Sequence, residues 1–274
     1  MKAKSFILAG AAVVGAILLG CGGGGGGVAG SSDVIYFVDN GQSIIRQDFP
    51  TGNPFTAGTG TALNNIRLSP DKSQFLFTNG GQLYVVNSNG TGLTTLTGYR
   101  LGDWNSDGSK VYAISTVGNV VRSMNPDGSG VSGDIFTGNG GGGLLSIDLN
   151  DQGTKIAVCY SANGWPRINT MNLDGSAVFV VTPDFVGSTD MRWSPDGSSF
   201  VFTRADDIYT IDADGTDEGI LANAAATEGM ATFRDANTVL YIADGDIWQM
   251  AADGTGEVEI FDDPSALSWP ESKN

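Results

Sequence analysis

The sequence contains no histidine, and this absence removes several kinds of catalytic chemistry. Without imidazole there is no Ser-His-Asp triad, no histidine-bound zinc and no imidazole general base. Only two cysteines are present, Cys21 and Cys159. If Cys21 is modified, as the N-terminal segment indicates below, Cys159 has no partner for an intrachain disulfide. Its setting in KIAVCY is typical of a small buried residue on a strand, rather than of a reactive thiol.

Basic residues and long apolar runs are also scarce. The chain has 14 Lys and Arg against 30 Asp and Glu. Such an acidic chain lacks the clusters of cations that binding to nucleic acid phosphates requires, although acidic turns can also serve only solubility. The longest apolar run has 14 residues, 6–19, which is shorter than the about 20 that a transmembrane helix needs. These features exclude a nucleic-acid partner and favour a secretory signal over a membrane span.

The apolar run has the features of an export signal. Lys2 and Lys4 precede it, and it ends in LLGC at Cys21. This order of basic residues, apolar core and small residue before cysteine resembles the lipobox of bacterial lipoproteins. The resemblance implies a signal peptide at residues 1–20 and acylation of Cys21. In a Gram-negative host, Gly22 stands where the family uses an Asp as an inner-membrane retention signal, so the outer membrane, facing the periplasm or the cell surface, is the expected destination. The alternative is an ordinary signal peptide with an incidental cysteine.

A glycine-rich stretch follows the cysteine. Residues 22–27 are six consecutive glycines, and small residues continue to residue 32. Such a segment behaves as a flexible coil with an end-to-end distance of roughly 20 Å. We therefore predict a tether at residues 21–32 that leaves the following domain, residues 33–274, free to tilt beside its membrane.

The remaining chain consists of imperfect copies of one unit. Its clearest copy, residues 191–219, reads as three strands separated by the turns SPDG and DADG, which is the pattern of a β-meander. The first strand of each copy carries a large apolar residue, at Leu68, Trp104, Leu149, Trp193 and Phe233. The intervals between these anchors are 36, 45, 44 and 40 residues, and a further 36 residues lead to Trp269. A period of roughly 40 residues indicates a propeller.

The motif WSPDG, followed by a strand and then IYTIDADGT, resembles the TolB-type β-propeller repeat, a relative of the WD repeat. The resemblance implies an all-β fold of four-stranded antiparallel blades. About 240 residues at roughly 40 per blade predict six blades. The units begin near residues 66, 102, 146, 191 and 231, and the first begins in mid-blade at residues 33–39. We therefore expect residues 266–270 to supply its innermost strand, so that the N- and C-terminal strands pair and close the ring.

Two stretches resemble ligand loops only superficially. In DADGTDE, residues 212–218, carboxylates alternate beside a glycine, but the full ligand set of an EF-hand is missing. The glycine run at residues 138–143 opens no helix and lacks the lysine of a phosphate loop. We interpret both as turns or connectors and predict no cofactor and no metal site. Whether an Asp-Gly turn holds calcium stays open.

The residue before each anchor is polar, and four of these residues are charged: Arg67, Asp103, Asp148 and Arg192. Innermost strands lie where the ring is tightest, and a buried charge needs a partner. We predict the pairs Arg67 with Asp103 and Asp148 with Arg192, as contacts between blades or as the lining of the channel. The alternative is that each side chain bonds locally to a turn or to water.

Function is expected on the face whose loops vary. The turns SPDG and DGT are short and repetitive, whereas the opposite connections differ in length and content. They contain the candidate partner-binding residues Tyr99, Arg100, Trp165, Arg167 and Phe185. Aromatic residues and Arg dominate binding hot spots, although these aromatics can also pack as lids on their own blades.

Three classes of function agree with these features. The prediction that we favour is a monomeric, non-catalytic, lipid-anchored platform that binds proteins or glycans of the cell envelope. One alternative is a glycan hydrolase or lyase that uses carboxylates in the propeller channel, since such chemistry needs no histidine. Another is a structural or assembly role without a discrete ligand site.

Overall fold

A computed structural model describes residues 33–39, 43–49, 55–59, 63–138, 143–162, 165–182, 190–222, 228–244 and 246–261. The regular elements of these residues are β-strands. Among them no helix is long and apolar enough to cross a membrane. The signal segment, Cys21, the tether and residues 266–270 lie outside the described residues.

The strands follow one another closely along the chain, joined mostly by short turns. In chain order they are β1 (Asp33–Asp39), β2 (Ser43–Phe49), β3 (Phe55–Thr59), β4 (Leu63–Leu68), β5 (Gln74–Asn79), β6 (Gln82–Asn87), β7 (Thr94–Leu96), β8 (Tyr99–Trp104), β9 (Val111–Ser115), β10 (Val120–Met124), β11 (Phe136–Thr137), β12 (Leu144–Leu149), β13 (Lys155–Ala162), β14 (Trp165–Asn172), β15 (Phe179–Val180), β16 (Met191–Trp193), β17 (Ser199–Arg204), β18 (Asp207–Asp212), β19 (Gly219–Ala222), β20 (Glu228–Asp235), β21 (Thr238–Ala243), β22 (Asp246–Ala251) and β23 (Val258–Phe261).

Each sheet is an antiparallel meander of strands that are consecutive in sequence. Five sheets have four strands, and we name them blade A (β4–β7), blade B (β8–β11), blade C (β12–β15), blade D (β16–β19) and blade E (β20–β23). The prediction of an all-β propeller with four-stranded antiparallel blades is confirmed.

The predicted count of six such blades is wrong for the described residues, which form five. The chain enters the first sheet at a second-strand position, so β1, β2 and β3 make a sheet of only three strands. Residues 266–270, which were expected to complete it, lie outside the described residues.

Hydrophobic clusters lie between the faces of neighbouring blades. The anchors Trp104 and Trp193 are 0% and 8% exposed. Trp104 packs in a cluster shared by blades A and B, and Trp193 in one shared by blades C and D, with its ring 3.9 Å from that of Phe200. Similar clusters join blades B and C and blades D and E. Because each strand turns alternate side chains to opposite faces, both faces of a central blade contribute to a core.

The repeated turns also bring successive blades into contact. Gly215, in the third-to-fourth turn of blade D, has φ +84°, and a Cβ there would lie 2.7 Å from the carbonyl oxygen of Val181 in blade C. Gly254 of blade E has φ +81° and stands in the same relation to the Leu221 carbonyl of blade D, at 2.8 Å. Glycine is therefore required at these turns both by the positive φ and by the close approach of the preceding blade.

Candidate functional site

The first strands of the five blades form the innermost layer of the described ring. Strands β4, β8, β12, β16 and β20 contact one another in succession. The charged residues that precede the anchors lie on these strands, with Asp190 immediately before β16. We call the five charged residues the axial cluster: Arg67, Asp103, Asp148, Asp190 and Arg192.

Arg67 links three blades. Its guanidinium Nε lies 3.6 Å from Oδ1 of Asp103 in blade B, and its Nη2 lies 3.6 Å from Oδ1 of Asp148 in blade C. Nη2 also donates to the Ile147 carbonyl at 3.3 Å. The side chain is only 3% exposed, so these ion pairs are little screened by solvent.

The two aspartates hold the backbone of the next blade. Oδ1 of Asp103 accepts the N–H of Trp104 at 2.8 Å, and its Oδ2 accepts the N–H of Leu149 in blade C at 2.8 Å. Asp148 repeats this contact one blade further on, because its Oδ2 accepts the N–H of Trp193 at 2.8 Å. In both cases, the carboxylate that precedes the anchor of one blade accepts the backbone N–H of the anchor in the next blade.

Asp190 and Arg192 complete the axial cluster from blade D. Arg192 donates from Nη1 to the Met191 carbonyl at 3.2 Å, and its charge lowers the pKa values of Asp148 and Asp190. Sequence reasoning missed Asp190. The signal was its place two residues before Arg192, which puts the two side chains on one face of an extended chain.

Burial dominates the electrostatics of the cluster. It raises the pKa of Asp148 to about 7; the neighbouring Asp103 raises it further, while Arg67 and Arg192 oppose the shift. Burial likewise raises the pKa of Asp190, again against Arg192 and Arg67. The pKa of the Cys159 thiol is raised to about 12 by burial and by the charge of Asp190. Cys159 is therefore an unreactive core residue.

Two of the candidate partner-binding residues, Tyr99 and Arg100, make contacts within the protein instead. Tyr99 is 7% exposed and belongs to the cluster between blades A and B, so it is not available to a partner as predicted. Arg100 is half-buried and donates from Nη2 to the Leu144 carbonyl of blade C. Burial lowers its pKa. Phe185 lies outside the described residues.

The other two candidates lie on an unusually long hairpin. Strands β13 and β14 have eight residues each, whereas the second and third strands of the other four blades have five or six. Their pairing continues through Tyr160 opposite Arg167 to Ala162 opposite Trp165. We call residues 160–162 and 165–167 the blade C finger. It extends the sheet on the side of the varied connections.

The aspartates of the Asp-Gly turns accept hydrogen bonds from residues of the same turn. In DADGTDE, Oδ1 of Asp214 accepts the backbone N–H of Thr216 at 3.0 Å and its hydroxyl at 2.6 Å. These hydrogen bonds lower the pKa of Asp214. Within the described part of the chain, no group of three acidic or cysteine side chains is placed to hold a metal ion.

Comparison with known proteins identifies the fold. No protein-family model matches the chain, and no curated protein sequence does. TolB from Acinetobacter baumannii superposes with a TM-score of 0.66 at 15% identity, over 83% of this chain and 62% of that chain. A chain of a nidogen/laminin complex gives 0.66 at 12% identity, over 83% and 92%. Oligogalacturonate lyase in complex with manganese gives 0.57 at 15% identity, over 78% and 71%. The chain therefore has the fold of the TolB-type propellers.

Proposed function

We propose that this protein is a lipid-anchored, non-catalytic platform of the bacterial cell envelope, which binds a partner protein through the blade C finger. The finger is the observation that carries the proposal. Its two strands have eight residues each, against seven in β1 and β2 and five or six in the other four blades, and binding residues concentrate where a scaffold varies. Both TolB and the nidogen/laminin complex share the fold.

The chemistry of the finger supports a binding role. Arg167 is half-buried rather than part of the core, and it lies opposite Tyr160 on the neighbouring strand. Tyr160 makes an edge-to-face contact with Phe136, with ring centroids 5.9 Å apart. An aromatic residue beside an arginine is a composition typical of binding hot spots.

The docking proposal is tested by crosslinking in cells that produce the tagged protein. We expect the double variant Trp165→Ala, Arg167→Ala to lose crosslinked partners at least about tenfold, a change of about 1.4 kcal/mol in binding. The matched control is Arg122→Ala, which removes a third-strand arginine from blade B, where it pairs with Asp134 at 2.7 Å. If a folded double variant retains every partner that the control retains, the docking surface lies elsewhere.

Membrane attachment is proposed to depend on Cys21. Acyl chains contribute about 0.8 kcal/mol for each buried CH₂, so several chains anchor a protein firmly. Mass spectrometry of the native protein should show an acylated Cys21, and Cys21→Ser should move the protein from the membrane to the soluble fraction. An unmodified Cys21 in the membrane fraction would contradict the anchor without affecting the docking proposal.

A second candidate, a carbohydrate lyase or hydrolase, is favoured only by the shared fold of oligogalacturonate lyase. The axial carboxylates do not suit it. Asp103 and Asp148 are 0% and 6% exposed, and both accept backbone N–H groups that a substrate would have to displace. We expect no unsaturated product from oligogalacturonate with or without manganese, and product formation abolished by Asp148→Asn would establish the enzyme instead.

A further inference from the structure

The outer strand of blade C carries an exposed run of apolar side chains. Val178, Phe179 and Val180 follow one another and are 50%, 45% and 43% exposed. At the same three places after the third-to-fourth turn, each of the other four blades has a single exposed apolar residue beside polar residues or glycine: Leu93, Val131, Ile220 and Val258. Single exposed apolar residues are common on protein surfaces, whereas a contiguous patch marks an interaction site.

This run also lies at the outer edge of its sheet. The strand order of blade C is β12, β13, β14 and β15, so no strand among the described residues pairs with the outer side of β15. An edge strand turns alternate backbone N–H and C=O groups away from its sheet, and proteins commonly protect such an edge with charged side chains. Blade E has this protection, because Glu257 and Glu259 flank Val258. Residues 178–180 lack it, so β15 can accept a further strand.

The apolar run faces the gap between blades C and D. Val181 packs in the cluster shared by these two blades, and Phe179, two residues before it, lies on the same face of the chain. Ile220 of blade D is paired with Tyr209, which packs against the same cluster, and paired residues share a face of the sheet. Phe179 and Ile220 are therefore exposed on the two sides of one gap. We call four residues the outer strip: Val178, Phe179, Val180 and Ile220.

Carboxylates lie at both ends of the run. Asp174 is exposed in the turn that precedes β15. At the other end, the turn of blade D approaches the run, since a Cβ on Gly215 would lie 2.7 Å from the carbonyl oxygen of Val181. Asp214 and Asp217 stand on either side of this glycine and are exposed. An apolar centre between acidic ends therefore describes the outer strip.

These charges select the occupant. A second copy of the chain, with 30 acidic residues against 14 basic ones, would bring like charges together. Arg204, which lies 3.9 Å over the ring of Tyr209, is already paired with Glu218. We propose that the outer strip is a docking site for an extended segment of a partner protein, with an apolar centre and lysine or arginine at both ends. The segment adds to β15 as a fifth strand of blade C, and this surface is separate from the blade C finger.

A synthetic peptide tests the chemistry of the site on the full-length wild type. The probe is a fluorescent peptide of about eight residues, with valine and threonine in its centre and lysines at its ends, and binding is measured by fluorescence anisotropy. We expect binding that weakens as the salt concentration rises. The same peptide with glutamate in place of lysine should bind at least about tenfold more weakly. Methylation of the backbone amides should abolish binding, because it removes the donors that strand addition needs.

Substitutions test the place of the site. Phe179→Thr and Ile220→Thr should each weaken binding of the lysine peptide at least about tenfold, since each removes apolar surface and keeps a residue suited to a strand. The matched control is Leu93→Thr, which changes an exposed apolar residue just before the outer strand of blade A. This control should bind the peptide as the wild type does.

Three results would overturn the proposal. One is equal binding of the lysine and glutamate peptides to the wild type, which needs no variant to fold. Another is unchanged binding in both Phe179→Thr and Ile220→Thr. The third is a wild-type dimer in analytical ultracentrifugation that Phe179→Thr abolishes, because the outer strip would then bind a second copy of the chain.

Discussion

Gly215→Ala tests whether the repeated turns hold the blades together. The residue has φ +84°, and a new Cβ would lie 2.7 Å from the Val181 carbonyl oxygen, although real Cβ atoms essentially never approach within 3.0 Å of such a neighbour. The obstructing atom is backbone, and the Val181 N–H is itself bonded to the Ile168 carbonyl at 2.9 Å. Relief therefore requires that blades C and D move apart.

The expected loss of stability in Gly215→Ala has two parts. A left-handed backbone costs alanine about 1–2 kcal/mol relative to glycine, and overpacking against a rigid neighbour costs about 1–3 kcal/mol. We expect Gly215→Ala to lower the free energy of unfolding by about 2–5 kcal/mol, and Gly254→Ala, with a carbonyl at 2.8 Å, to behave alike. Urea unfolding followed by tryptophan fluorescence, with an unchanged m value, measures this loss.

Gly98→Ala is the matched control. Gly98 has φ +85°, but nothing lies within 4 Å of the position that a Cβ would take. It should therefore show only the backbone part, about 1–2 kcal/mol. If Gly215→Ala and Gly98→Ala agree within about 0.5 kcal/mol, the contact between blades adds nothing to stability and the reasoning fails.

Three further predictions concern single side chains. Trp104→Phe should destabilise the protein by about 1 kcal/mol more than Trp193→Phe. The reason is that Nε1 of Trp104 donates to the Arg67 carbonyl at 3.1 Å, whereas Nε1 of Trp193 has no acceptor among the described residues. Equal losses of stability in urea unfolding would contradict this prediction. Cys159 should resist iodoacetamide in the folded protein and react in urea, since the pKa of its thiol is raised to about 12; mass spectrometry decides, and labelling of the folded protein would refute it. Asp196 has a pKa lowered by hydrogen bonds within its own turn, so its stabilisation is present above about pH 4 and is lost as pH falls further. Asp196→Asn should flatten the acid limb of the stability profile, and an unaltered limb would count against the turn.

Periodicity explains why much of the fold could be predicted from the sequence. An anchor such as Trp104 and a turn such as SPDG are local signals, and their repetition specifies strands and a ring. The anchors Leu68 and Leu149 do lie on first strands and are buried. The number of blades was harder, because the first sheet begins at its second strand and a count of repeats cannot show what completes it.

The site depended on contacts that have no local signal. The position of Asp190 follows from β16, but the effect of Arg67 on it depends on how blades that are distant in sequence meet. Tyr99 was expected at a surface, since an aromatic beside Arg100 in a variable connection is typical of one. In the structure it starts β8 and turns into the core. Nearness in sequence to a loop does not determine which side of the strand faces solvent.

Several of the contacts between blades described above join neighbours along the chain. Gly215 of blade D rests on blade C, Trp104 of blade B bonds to Arg67 of blade A, and Asp148 of blade C receives the backbone of blade D. All of these join a blade to the one made just before or just after it. When the chain folds from its N-terminus onward, each blade can be stabilised by the next blade as soon as that one forms, before the ring closes. Folding can therefore follow the order of the chain, because each new blade covers the face of the blade before it.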